Sequence, residues 1–183
     1  MKNLLILPFI IYATMSCATI PPNLLSNPID NTKNEGMIVG TISLEDLKSW
    51  TSTLTFIYVS DTIIKGKNTI AIKDLNNFPS FNVEGNLHPF RGNIQENGKQ
   101  TYLFSITKSE GNYIFFAVRQ FMNSGYIQSE RIIPLKYPFH IEKGKTTYLG
   151  EINIRLRASE ANILNSLEKD RKLFQQIYPH IVF

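Results

Sequence analysis

From residue 36 onward the chain is written in short β-branched and aromatic runs parted by turn formers, and that rhythm confines it to an all-β sandwich or barrel. Met37 to Ile42 reads as one strand. Thr53 to Val59 reads as the next, with either Leu54, Phe56 and Tyr58 or the set Thr53, Thr55, Ile57 and Val59 taking the buried face. Thr69 to Lys73 and Phe81 to Glu84 are weaker strands. After Gln100, the residues Tyr102, Phe104 and Ile106 alternate with polar or smaller partners up to the turn Ser109-Glu110-Gly111. Tyr113 to Val118 follows, apolar on both faces, as suits a strand in the middle of a sandwich or beneath another element. Asn97-Gly98 predicts a hairpin with antiparallel pairing around it, because both residues tolerate the positive φ of a type I′ turn. Asn123-Ser124-Gly125 turns the chain into Tyr126 to Ile133, and Glu142-Lys143-Gly144-Lys145 turns it into Thr146 to Leu156. The expected fold is mainly β: an antiparallel Greek-key β-sandwich over residues 36–157.

Residues 158–183 break the rhythm. Ser159 is placed as an N-cap, and Ile163, Leu164, Leu167, Leu173, Phe174 and Ile177 fall at helical spacings up to Pro179. This predicts one C-terminal amphipathic α-helix packed on the domain, covering a sheet face or edge. Its polar side, Glu168 to Lys172, mixes both charge signs, whereas helices that lie on membranes favour Lys and Arg.

Composition narrows the partners. A chain of 183 residues fits one domain, and 43% hydrophobic against 19% charged residues excludes disorder. The net charge of +4 is spread over single residues such as Lys65, Lys73, Arg91 and Arg119 with no basic stripe, so no nucleic-acid partner is expected.

The N-terminus has its own grammar. Met1-Lys2-Asn3 is basic, Leu4 to Ala13 is apolar, and Thr14-Met15-Ser16 leads to Cys17, the single cysteine. A positive start, a short apolar core and small residues at the end mark residues 1–16 as an export signal peptide. The run is too short to span a bilayer and contains Pro8. This opening resembles bacterial lipoprotein precursors. The resemblance implies cleavage before Cys17, a diacylglycerol on its sulfur, a third acyl chain of the palmitate kind on its amine, and hence the membrane as a partner. With Ala18 next in line, it further implies the outer membrane of the cell envelope. Cleavage after Ala18, giving a soluble periplasmic or secreted protein, is the alternative. Residues 17–35, rich in Pro and Asn, read as a lipidated N-terminus and flexible tether, or else Leu24, Leu25 and Ile29 pack on the domain edge.

Chemistry is sparse. His88, His140 and His180 lack zinc-site spacing, and no nucleophile elbow, metalloprotease pair, phosphate loop or dinucleotide fingerprint occurs. No catalytic residue, metal or cofactor is assigned. Glu45 and Asp46 are adjacent and would point to opposite faces of a strand. The candidate binding surface is aromatic: Trp50, Phe78, Phe81 and Phe90, set among Pro79, Gly85 and Pro89.

A second likeness covers the later strands. Gly111-Asn112-Tyr113-Ile114-Phe115 and the stretch from Phe139 through Ile141, Gly144, Lys145, Tyr148, Leu149 and Gly150 resemble bacterial lipoprotein domains with a transthyretin-like or carboxypeptidase-regulatory-like β-sandwich. That family implies a fold and a compartment, with Tyr148 and Leu149 in the core, and transfers no catalytic residue. The expected function is a lipid-anchored bacterial envelope protein acting as a non-enzymatic interaction or structural module with another envelope protein as partner. A small-ligand or saccharide-binding lipoprotein is the alternative, and a hydrolase the third reading.

Overall fold

The computed structural model describes residues 24–30, 32–47, 51–65, 78–85 and 92–183. The described residues are mainly β, with nine strands in two sheets and two helices among them. In chain order these are β1 (Glu35–Glu45), β2 (Thr51–Ser60), α1 (Asp61–Lys65), β3 (Ser80–Gly85), β4 (Ile94–Glu96), β5 (Lys99–Ser109), β6 (Gly111–Asn123), β7 (Gln128–Ile141), β8 (Thr146–Arg155), β9 (Glu160–Leu164) and α2 (Leu167–Ile177). One sheet runs β4-β5-β1-β8-β9 and the other β3-β2-β6-β7. Pairing is antiparallel except between β1 and β8, which run parallel, so the first sheet is mixed where a purely antiparallel one was expected.

Period-2 alternation builds the shared core. Ile38, Ile42 and Leu44 of β1, Leu54, Phe56 and Tyr58 of β2, Tyr102, Phe104 and Ile106 of β5, and Ile152 and Ile154 of β8 join one buried cluster that draws on both sheets. Of the two faces open to β2, the Leu54-Phe56-Tyr58 set is the one that meets this cluster. The apolar run Tyr113 to Val118 lies in β6, an inner strand flanked by β2 and β7. Asn97 and Gly98 both take positive φ, 51° and 74°, and close the β4–β5 hairpin with Glu96 opposite Lys99. Pro134 and Pro138 sit in β7, an edge strand, where a missing ladder donor is tolerated. Of the weaker strands, Phe81 to Glu84 is β3, while Thr69 to Lys73 lies outside the described residues.

A bulge between β1 and β8 decides what faces outward. Val39 pairs with Tyr148 but Gly40 with Gly150, leaving Leu149 as the extra residue. The alternation is thereby reset, and Tyr148 and Glu151 come to share the outer face of the sheet. Leu149 stays in the core, whereas Tyr148, expected there too, is turned away from it and stacks on Phe183 at 5.4 Å. The bulge needs two glycines. A Cβ on Gly40 would stand 2.5 Å from the Gly150 carbonyl oxygen, and Gly150 has φ of +127°. Gly40→Ala is expected to cost about 2 kcal/mol through forced displacement of the paired backbone, read as a lowered urea midpoint with an unchanged slope.

The C-terminal region corrects the expected helix. Residues 160–164 form the edge strand β9, not a first helical turn: Ala161 and Ile163 alternate onto the core, a period of two that the Ile163-to-Leu167 spacing masked. Ser159 is therefore no N-cap. It holds φ of 55° in the turn between β8 and β9. The helix starts after Ser166, whose hydroxyl is not spent on its own backbone. Helix α2 and the tail lie on the outer face of the five-stranded sheet, where Phe174 and Ile181 join Met37, Val39 and Leu103 in a second buried cluster.

The start of the described chain also docks. Leu24 bridges Phe104, Ser105 donates its amide to the Leu24 carbonyl at 3.2 Å, and Ser26 bonds to Ser105 and Thr107. Leu25 and Ile29 pack with the second cluster. Residues 24–30 thus protect the edge of β5 and do not belong to a flexible tether.

Candidate functional site

Two polar constellations stand out, and they differ in whether their polar atoms are already engaged. The first lies between the outer face of the five-stranded sheet and α2. Alternation along β1, β5 and β8 places Thr41, Ser43, Thr101, Glu151 and Asn153 on this face, next to the apolar patch that takes Phe174. Glu151 is 1% exposed. Its Oε1 meets the Lys99 ammonium at 2.6 Å, and its Oε2 accepts from Lys169 at 2.6 Å and from the Ser166 hydroxyl at 2.7 Å. Burial pushes this carboxyl up, but hydrogen bonds from Lys169, Lys99, Ser43 and Ser166 outweigh that and hold it at about 2. Asp170 on α2 is fully buried beside it, its Oδ2 accepting from Thr41 at 2.7 Å and from the Tyr148 hydroxyl at 2.8 Å. Burial raises the Asp170 carboxyl above the usual range, against the pull of those two hydroxyls and of Lys169. The Tyr148 hydroxyl is also pushed up, first by burial and then by Asp170.

This cluster is a clasp. Lys169, Asp170 and Ser166 belong to α2 or its start, while Glu151, Thr41, Tyr148 and Lys99 belong to the sheet, so every bond except the Lys99–Glu151 pair, which lies within the sheet, ties helix to sheet. A carboxylate flanked by two ammonium groups and a hydroxyl, with 1% exposure, has neither room for a substrate nor a proton to exchange near neutral pH.

The second constellation is open. At one end of the two sheets a cleft of about 310 Å³ is lined by Asp46, Ser52, Gln120, Met122, Ser124, Ile127, Ser129, Arg131, Leu156 and Arg157. Ser52 of β2, Gln120 and Met122 of β6, Ser129 and Arg131 of β7, and the β8–β9 turn all converge on it. The β6–β7 turn at its edge carries Tyr126 fully exposed and Ile127 largely exposed, and Asn123 Oδ1 accepts the Gly125 amide within that turn. Arg131 donates from Nη1 to Ser159 Oγ at 3.2 Å.

Of the aromatic residues singled out from sequence, the two that are described, Phe78 and Phe81, do not line this cleft. Phe81 turns inward from β3 and stacks on Phe56 at 5.0 Å and Phe104 at 5.7 Å, so it packs, partly buried, against the core. Phe78 is half-buried just ahead of β3. Trp50, Phe90 and Cys17 lie outside the described residues. Among the described residues no group of His, Cys, Asp and Glu is placed to hold a metal ion; His140 shares a hydrogen bond with Asn112 at 2.8 Å and His180 sits edge-on to Tyr178. No helix among the described residues is long and apolar enough to cross a membrane.

The signal for the cleft was present but weak. Gln120 is a polar residue on the same parity as the inward-facing Val118, two positions past an apolar run, and only the β6–β7 bulge at Phe116 settles which parity faces in. The clasp was hidden by the β1–β8 bulge, which no pattern of Tyr148 to Ile152 announces.

Comparison with known proteins adds little. No family model and no curated protein matches the chain. Among solved structures, a leucine-rich repeat protein from Bacteroides thetaiotaomicron is similar at 15% identity over 80% of this chain and 16% of its own, with a TM-score of 0.33. A likeness that distant supports no inference about fold or function.

Proposed function

We propose that the chain is an exported, lipid-anchored envelope protein whose β-domain binds a small ligand without transforming it. The observation that carries this reading is the cleft at the sheet ends, a concave site of about 310 Å³ where Met122, Ile127 and Leu156 meet convergent polar groups from β2, β6, β7 and the turns beside them. The contrast with the clasp supports the absence of catalysis, since the shifted carboxyls Glu151 and Asp170 are engaged in holding α2. The fold fits a Greek-key β-sandwich of the transthyretin-like kind: the chain crosses between sheets after β1, β3, β5 and β7, so that sheet neighbours come from distant stretches. Anchoring rests on the export grammar of residues 1–16 and on Cys17, and placement at the outer membrane rests on Ala18.

A second reading, recognition of another envelope protein, is favoured by the exposed tip Tyr126-Ile127. The two readings share the anchor and the same end of the domain. Mass spectrometry of the mature N-terminus tests the anchor: a blocked, acylated Cys17 is expected, and Cys17→Ala abolishes it. A chain beginning at Thr19, or an unmodified Cys17, contradicts it. Ligand binding is tested by titration at the cleft.

A further inference from the structure

Resting on the ligand-binding reading, we infer that the cleft takes a small organic anion: a carboxylate carried on an apolar body, with one hydrogen-bond donor beside it. Gln120 sets the donor. It is 1% exposed, lines the cleft, and its Oε1 has no hydrogen-bond partner among the described residues. An amide oxygen buried in this way is costly until a donor reaches it, so a ligand that brings a hydroxyl or N–H is preferred over one that brings only acceptors. Met122, Ile127 and Leu156 set the apolar body, giving the cleft more apolar than polar lining.

The rim sets the charge. Arg131 and Arg157 stand against Asp46, so the lining has a net positive charge. Arg131 is steadied by its bond to Ser159 and keeps its remaining N–H donors. Arg157 makes no ion pair among the described residues, and a guanidinium presents a planar fork matched to a carboxylate. Acceptor within, apolar walls and guanidinium at the mouth are the complement of a hydroxy acid or acyl amino acid with a hydrophobic side chain. A neutral apolar molecule would leave both arginines unused, and an inorganic anion would leave the walls and Gln120 unused.

The test uses 3-phenyllactate, its methyl ester and 3-phenylpropanoate, titrated into the full chain in neutral detergent micelles and followed by the Gln120 side-chain amide and the arginine Nε–H signals in nitrogen-15 NMR. The acid is expected to shift the Gln120, Arg131 and Arg157 signals and to bind at least ten-fold tighter than the ester. Phenylpropanoate, lacking the hydroxyl, is expected to bind several-fold more weakly than phenyllactate, and that difference should vanish in Gln120→Met. Arg157→Gln, on an exposed rim residue, should bring the acid down to the ester's affinity while leaving the fold intact. If acid and ester bind alike at the cleft, the anion assignment is overturned while ligand binding stands. If neither moves the cleft signals, both fall.

Discussion

Replacing Glu151 with alanine is expected to remove about 3 kcal/mol of stability, roughly 6–12 °C of melting temperature for a chain of this size. Breaking a buried ion pair from one side costs about 3–5 kcal/mol because the abandoned charge stays desolvated. Here the lysines temper that cost: Lys99 and Lys169 keep 26% and 50% of their side-chain surface and can turn to water. The lower end of the range therefore applies. The acid limb should change with it. Glu151 is held at about 2 in the folded state against an ordinary value of 4.5, so its contribution is fully present above pH 4.5 and drains away as pH falls toward 2. Asp170 works in the opposite direction, since a raised folded pKa means that the folded chain holds that proton more tightly and acidification relieves it. Denaturant unfolding from pH 7 to pH 2 should show wild type converging on Glu151→Ala as the acid side is approached. Parallel curves at every pH would contradict the role given to this carboxylate.

Phe174→Ala is expected to cost about 3–4 kcal/mol and to release the C-terminal helix before the sheets unfold. Phe174 is fully buried, meets Phe183 edge-on at 5.2 Å, and seats α2 on Met37, Val39 and Leu103. An α2 of 11 residues is shorter than the about 12–15 that an isolated helix needs for even marginal stability, so docking decides whether it exists. Its hydroxyl cap is absent for the same reason: Ser166 gives its O–H to Glu151, trading a local bond for a tie to the sheet. Hydrogen exchange should show the α2 amides opening in Phe174→Ala while β1, β5 and β6 stay protected. Exchange that rises equally in all of them would mean the helix is no separate unit.

The two sites follow the limits of sequence reading. Strands were legible wherever one face was apolar and a turn carried positive-φ residues, as at Tyr102 to Ile106 and Asn97-Gly98. Bulges were not, because one extra residue such as Leu149 flips the parity of everything after it without altering composition. Both polar constellations sit just past a bulge. Glu151 would face the core without the extra residue, and Gln120 lies beyond the irregularity at Phe116. The helix at residues 159–166 failed for a related reason. Ala161 and Ile163 satisfy a period of two, and Ile163 with Leu167 satisfies a period of four; the neighbouring edge of β8 chose the strand. Phe81 shows the converse, an aromatic residue in an irregular stretch that reads as a surface anchor until Phe56 and Phe104 close around it.

The proposed function divides labour within the domain: the clasp holds the fold, and the cleft is left to bind. Calorimetry on two variants, Glu151→Gln and Arg157→Gln, tests it most directly, measuring melting temperature and 3-phenyllactate affinity on each. Glu151→Gln should melt several degrees lower with the affinity of the folded protein unchanged, and Arg157→Gln should melt within about 2 °C of wild type, as surface substitutions do, with binding weakened ten-fold or more. Loss of binding in Glu151→Gln at a temperature where it is folded, with Arg157→Gln binding normally, would contradict the account.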